Sequence, residues 1–202
     1  MSNSPSLRPP ETDDELDSLD GSTIEDFPCN QATLLNNKEG KQVILESESG
    51  KKYLLLETIK VAIFGQVVKA EILESATSGN FVAIKIYRRS HISSGNACKE
   101  DPYSELAISR LLHDKNQNLL GSLEICGNDD FLFNVMPYVS SPELFDYLAS
   151  RSAFDESLAK NVVHQVACGI MYLHSNNIAH RDLSLENILY CPVTGVAKII
   201  DF

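Results

Sequence analysis

His180-Arg181-Asp182-Leu183-Ser184-Leu185-Glu186-Asn187 is the stretch on which the reading of the fold turns. It stands between two textures. Before it, Phe154–Ser175 carries Leu158, Val162, Val163, Val166, Ile170 and Leu173 at steps of three and four, which predicts a long helix with one wide apolar stripe. After it, Ile188–Tyr190 and Val196–Ile200 read as two short strands turned by Pro192–Gly195. A carboxylate in such a loop can accept a proton from an attacking hydroxyl, and Asp182 supplies one. An amide five residues on, Asn187, can offer its oxygen to a metal ion. Fourteen residues further comes Asp201-Phe202, where Asp201 supplies the hard carboxylate oxygen that Mg²⁺ prefers.

Upstream, Val82-Ala83-Ile84-Lys85 lies in a strand-like run, and Glu105 follows twenty residues later. A lysine on a rigid strand can pair with phosphate oxygens, but its flexible stem needs a fixed counter-charge, which Glu105 can provide from a helix predicted over Tyr103–Leu112. Gln42–Glu46 and Tyr53–Thr58 are strand-like, Gln66–Leu73 and Phe81–Tyr87 follow, and once Leu123–Cys126 and Phe131–Met136 are added these six runs predict an antiparallel sheet of about five strands. Ser141-Pro142 marks a helix start, with Ser as N-cap and Pro in the first turn. A strand-rich half, a helical half and a small hairpin make an α+β arrangement.

The 202 residues, 43% hydrophobic, suffice for one ordinary domain and a tail. A net charge of −11 argues against a nucleic-acid surface, which needs clustered cations. Five scattered cysteines form no C-x-x-C pair, so neither a zinc site nor a disulfide framework is expected. The histidines at 91, 113, 164 and 174 lack ligand spacing and are assigned to surface or core packing, as Met171 is to core. Between Glu11 and Asp26 lie eight acidic residues and no basic one, so residues 1–40 are expected to be a disordered acidic tail. No apolar leader and no run of 18 apolar residues occurs, which predicts an intracellular protein, cytoplasmic or nuclear, with no membrane span.

Taken in order, V-A-I-K at 82–85, the helix glutamate at 105, H-R-D-x-x-x-x-N at 180–187 and D-F at 201–202 resemble the eukaryotic protein kinase family over roughly residues 50–202. The resemblance implies a bilobal kinase fold over 41–202, with a strand-rich lobe over about 41–136, a hinge at 137–140 and the first part of a helical lobe over 141–202. It implies ATP and Mg²⁺ as cofactors and a protein serine or threonine as substrate, with the oligomeric state open. Asp182 becomes the catalytic base, Asn187 and Asp201 the Mg²⁺ ligands, and Lys85, paired with Glu105, the contact to the α- and β-phosphates. Met136 falls at the gatekeeper position, and the backbone of Pro137 and Val139 meets the adenine edge. Ile59, Val67, Ala83 and Leu189 sandwich the ring, and Glu143 reaches the ribose. His180 and Phe202 pack together in such kinases. Glu105–Leu112 and Glu143-Leu144-Phe145-Asp146 look most like the calmodulin-dependent and AMP-activated branch.

The sequence departs from the family in three places. Of the glycine-rich loop only Gly65 survives, with Lys60 and Ala62 replacing the other two glycines. Ser184 stands where Ser/Thr kinases usually carry a phosphate-contacting lysine. The chain stops at Phe202, before the family's activation loop and remaining helices. If the six stripe residues of the long helix were left wet, each would forfeit about 1.5–3 kcal/mol against a whole-domain stability of about 5–15 kcal/mol. The expectation is then that this chain alone folds poorly and transfers no phosphate. The degraded loop keeps open a second reading, a pseudokinase or nucleotide-binding interaction module. A small-molecule phosphotransferase is a third, against which Arg181 speaks, because protein kinases use it to meet an activation-loop phosphate.

Overall fold

In Phe81–Arg88 the residues Val82, Ile84 and Ile86 are buried and alternate with Ala83 and Lys85, which are half-exposed. That period of two puts one face on a core and leaves the other available for chemistry. The computed structural model describes residues 30–36, 43–62, 64–73, 79–93, 101–151 and 155–202. The elements are, in order, β1 (Asn30–Asn36), β2 (Val43–Ser47), β3 (Lys52–Ala62), β4 (Gly65–Ile72), β5 (Phe81–Arg88), α1 (Arg89–Ser93) and α2 (Pro102–Leu111). Then come β6 (Glu124–Gly127), β7 (Phe131–Pro137), α3 (Leu144–Ala149), α4 (Glu156–Ser175), a 3₁₀ turn (Leu185–Asn187), β8 (Ile188–Cys191) and β9 (Val196–Ile199).

The chain divides into two compact units. The strand-rich unit holds the described residues up to 115 together with 120–140. Its strands close into a ring in the order β1-β2-β3-β4-β5-β7-β6. All pairings are antiparallel except the closing one, where β1 runs parallel to β6 with Asn30 opposite Cys126 and Gln31 opposite Gly127. Leu45, Tyr53, Val68, Ala70, Val82, Ile84, Phe133 and Val135 fill the interior. Helix α2 lies over a second cluster, where Leu106 packs with Tyr87, Ile125 and Leu132. Its start is fixed by Asp101, whose carboxylate accepts from the Tyr103 N–H at 3.1 Å, and by Pro102, which has no N–H to leave orphaned.

Two expectations for this unit are corrected. Residues 30–36, assigned to a disordered tail, form β1; the rest of the expected tail lies outside the described residues. The sheet is also seven-stranded and closed rather than five-stranded and wholly antiparallel.

The helical unit holds 116–119 and 141–202. Asp155 caps α4 by accepting from the Ser157 N–H at 3.0 Å. A Cβ on Gly169 would lie 2.9 Å from Ile199 Cδ1, so glycine lets α4 approach β9 closely. Leu144, Val162, Ile188, Tyr190 and Ala197 form the core, with Leu158 and Val166 packed against it.

Three further expectations are corrected here. The six-residue stripe is not left wet: Val162 and Leu173 are buried, Leu158, Val166 and Ile170 are half-buried, and only Val163 stands out at 66% exposure. Val162 packs with Ile188, Tyr190 and Ala197 of the hairpin and with Leu144, and Leu158 and Val166 lie against the same cluster. Met171, assigned to core, is exposed. Ser141 is not the N-cap and Pro142 is not in a first turn, because α3 begins at Leu144 with Glu143 before it. The Ser-Pro segment is extended instead, with the Pro142 carbonyl accepting from Tyr190 N–H and Glu143 bridged to Leu189. No described helix is long and apolar enough to cross a membrane.

Candidate active site

In the strand-rich unit, register places the predicted residues on one face. Val67 is opposite Lys85, Lys69 opposite Ala83, and Ala83 opposite Met136. Directly opposed residues share a face, so Val67, Ala83, Lys85 and Met136 lie together on the side away from the buried Val68, Ile84 and Val135. Pro137 ends β7 opposite Val82, and Val139 follows it half-buried. Ile59 sits where the β3–β4 register shifts, half-exposed at 50%.

Lys85 Nζ donates to Glu105 Oε1 at 2.6 Å, the predicted ion pair. Tyr87, two residues along β5 and so on the same face, donates its hydroxyl to the same oxygen at 2.7 Å. Tyr87 is not among the predicted site residues; its spacing from Lys85 gives only the shared face, not the contact with Glu105. A cavity of about 40 Å³ lies beside this group, lined by Ala62, Phe64, Gly65, Lys85, Ile86, Tyr87 and Glu105.

Gly65 has a reason for surviving that does not involve phosphate. A Cβ there would stand 1.8 Å from the Ile86 carbonyl oxygen, so any side chain would force β4 off β5. Lys60 is exposed and Ala62 half-buried; Ile63 lies outside the described residues.

In the helical unit, Asn187 Nδ2 donates to Asp182 Oδ2 at 3.0 Å and to the Asp182 carbonyl at 2.9 Å. With its nitrogen so engaged, the buried Asn187 has its Oδ1 as the atom to offer a cation. The Ile200 N–H donates to the Asn187 carbonyl at 3.0 Å, which sets Asp201 directly beyond that contact. Two hard oxygen donors on adjacent backbone fit a Mg²⁺ ion that takes its other ligands from phosphates and water. His180 Nε2 donates to the Ile200 carbonyl at 3.0 Å, and its ring meets Phe202 edge-on at 5.6 Å. Its Nδ1 is buried without a hydrogen-bond partner. Leu189 and Glu143 are brought together by their bridge.

The backbone is strained at this place. Among the described residues four non-glycines have positive φ: Asp114, Asn177, Arg181 and Asp201. Asp and Asn tolerate that region; Arg181, at φ 65°, does not do so readily. The Asp182 N–H donates to the His180 carbonyl at 2.9 Å, which closes a tight three-residue turn around Arg181. Such strain, of order 1–3 kcal/mol, persists where surrounding contacts enforce it and clusters at functional sites. Here it presents the exposed Asp182 carboxylate.

The protein kinase domain family matches residues 59–202. "Protein kinase 3" of Dictyostelium discoideum is 32% identical over 187 residues, 93% of this chain and 20% of that protein. "NUAK family SNF1-like kinase 2" of Homo sapiens is 32% identical over 151 residues, 75% of this chain and 23% of that protein. "SNF1-related protein kinase catalytic subunit alpha KIN12" of Arabidopsis thaliana is 34% identical over 139 residues, 68% of this chain and 27% of that protein. The chain thus spans between a fifth and about a quarter of the length of these curated relatives.

Proposed function

The chain belongs to the protein kinase domain family, and from that premise we propose that it serves an ATP-dependent kinase that phosphorylates serine or threonine of a protein substrate. The observation that carries the reading is the 2.6 Å pair of Lys85 and Glu105 on the chemically available face of β5. A partly buried lysine with an acidic partner on another element is suited to meet phosphate oxygens.

Asp182 takes the proton from the substrate hydroxyl, and its hydrogen bond from Asn187 holds the carboxylate in one rotamer. Asn187 and Asp201 would hold Mg²⁺, which when bound neutralises charge on the nucleotide phosphates. Val67, Ala83, Ile59 and Leu189 give the adenine an apolar setting, Met136, Pro137 and Val139 its edge, and Glu143 the ribose contact. The finer architecture proposed is the two-lobed kinase fold, with the strand ring and α2 as the smaller lobe. Leu185-Glu186-Asn187 favours Ser/Thr over Tyr, since it does not resemble the small residues and arginine that tyrosine kinases carry in this part of the loop. An ATP-consuming enzyme with such a substrate belongs inside the cell.

The test is transfer of phosphate from MgATP to seryl, threonyl and tyrosyl peptides. Seryl or threonyl transfer is expected, lost by at least a hundredfold in Asp182→Asn with MgATP binding retained. Transfer undiminished in Asp182→Asn would refute the assignment. A second reading, a nucleotide-binding module without turnover, is favoured by Lys60 and Ala62 in the phosphate loop and by the structural reason for Gly65. MgATP binding with no transfer to any peptide would select it.

A further inference from the structure

The phosphate-binding lysine of the reading above has a second support that the family pattern does not require. Tyr87 is buried at 1% exposure, so its hydroxyl must find a partner inside. It finds Glu105 Oε1 at 2.7 Å, the same oxygen that takes Lys85 Nζ at 2.6 Å. The ammonium also stands 5.4 Å from the Tyr87 ring centroid. The Tyr87 ring packs with Leu106, the residue after Glu105 on α2, and with Ile125 and Leu132. Lysine, tyrosine and glutamate thus form one group joining β5 to α2.

The two donors do different work. Lys85 has a flexible stem and three N–H bonds, of which two can turn to phosphate oxygens while one stays with Glu105. Its hold on the carboxylate weakens as it is drawn to a nucleotide. Tyr87 has a rigid ring wedged in a core and a neutral hydroxyl that does not compete for phosphate. Its hydrogen bond to a charged acceptor is of the stronger kind. It keeps the carboxylate in place while Lys85 is occupied.

We infer that Tyr87 is a positioning residue, which fixes Glu105 and through it aims Lys85 at the nucleotide phosphates. The inference rests on the nucleotide-binding reading proposed above. It acts on phosphate recognition and leaves adenine recognition alone, because Tyr87 stands opposite Gly65 and Leu132, whereas Val67 and Met136 stand opposite Lys85 and Ala83.

The test compares the chain with Tyr87→Phe, Glu105→Ala and the double variant, titrated calorimetrically with MgATP and separately with adenosine. Tyr87→Phe removes one oxygen and keeps the ring. MgATP binding is expected to weaken about tenfold with adenosine binding unchanged, which also reports that the variant is folded. In the Glu105→Ala background, Tyr87→Phe is expected to add nothing. Equal weakening for both ligands, no weakening for either, or additive losses would overturn the inference. Deuterium exchange of the amides of Pro102–Leu111 provides a nucleotide-independent arm: faster exchange is expected in Tyr87→Phe, and unchanged exchange would overturn the tether. If the unsubstituted chain takes up no MgATP, the kinase reading fails, and the exchange arm still decides whether Tyr87 holds Glu105.

Discussion

Cys191 sits half-buried at the turn between β8 and β9. The Thr194 hydroxyl, then the N–H groups of Thr194 and Val193, then the Ser141 hydroxyl donate to its sulfur and pull the thiol down to about 7 from the ordinary 9. Alkylation requires the thiolate. The iodoacetamide rate at Cys191 is therefore expected to rise with a midpoint near pH 7, followed by peptide mass spectrometry, and Thr194→Val is expected to move the midpoint upward. The fully buried Cys126 serves as the unreactive control. A midpoint near 9 in the unsubstituted chain would show the donors to be ineffective. Nothing in the spacing of the cysteines foretold this, since the effect is made by a turn. The Lys85–Glu105 pair was legible because a lysine stem on a rigid strand needs a fixed counter-charge and the following helix offered one. Tyr87 was not, because its part depends on a contact with a residue eighteen positions away. Gly65 was half legible: its retention was seen, but the clearance to the Ile86 carbonyl belongs to strand pairing.

At the scale of elements, Gln165 is the side chain that holds the hairpin to its helix. From α4 its Nε2 donates to the Gly195 carbonyl at 2.7 Å, and its Oε1 accepts from the Ala197 N–H at 3.0 Å. The side-chain amide thus pairs with the rim of β9 as a neighbouring strand would. Asn118 adds to it, donating to Gln165 Oε1 at 3.0 Å and to the Ala197 carbonyl at 2.9 Å. Gln165→Leu deprives an N–H and a carbonyl of these partners and is expected to cost about 2–4 kcal/mol in urea unfolding, with Gln165→Glu losing less because the acceptor remains. A loss under about 0.5 kcal/mol would show the clamp to be incidental. Periodicity located α2 and α4 well, because each buries one stripe. It failed at Ser141-Pro142, where a helix-start signal was overridden by pairing with β8. It failed at β1 because that strand carries polar residues, follows an acidic stretch, and finds its closing partner β6 nearly a hundred residues later.

For the molecule as a whole, one carboxylate links stability to acidity. Glu124 on β6 accepts from Tyr53 Oη and Ser49 Oγ, each at 2.8 Å, which ties β6 to β3 and the turn before it. Burial pushes its carboxyl up, but the hydroxyls of Tyr53, Ser49 and Ser47 and the Lys51 charge together outweigh it, so it titrates below its usual 4.5. A depressed carboxylate stabilises the fold fully above its unfolded value and loses that contribution as the pH falls through its folded value. Glu124→Gln is expected to lower stability by about 1–2 kcal/mol at pH 7. The gap to the unsubstituted chain should close progressively below about pH 4.5, as followed by thermal melts across pH. A gap that stayed constant down to pH 3 would remove Glu124 from this role.

The short parallel contact of Asn30 and Gln31 with Cys126 and Gly127 has a practical consequence. By closing the ring it gives β1 and β6 a partner at the edges where, among the described residues, each would otherwise offer peptide groups for another molecule to zip onto. Trimming the chain as far as residue 36 would bare both β2 and β6 as unpaired rims, whereas a cut just ahead of Asn30 would keep them closed. The boundary chosen for expression therefore sets how many open strand edges this protein presents to its own copies.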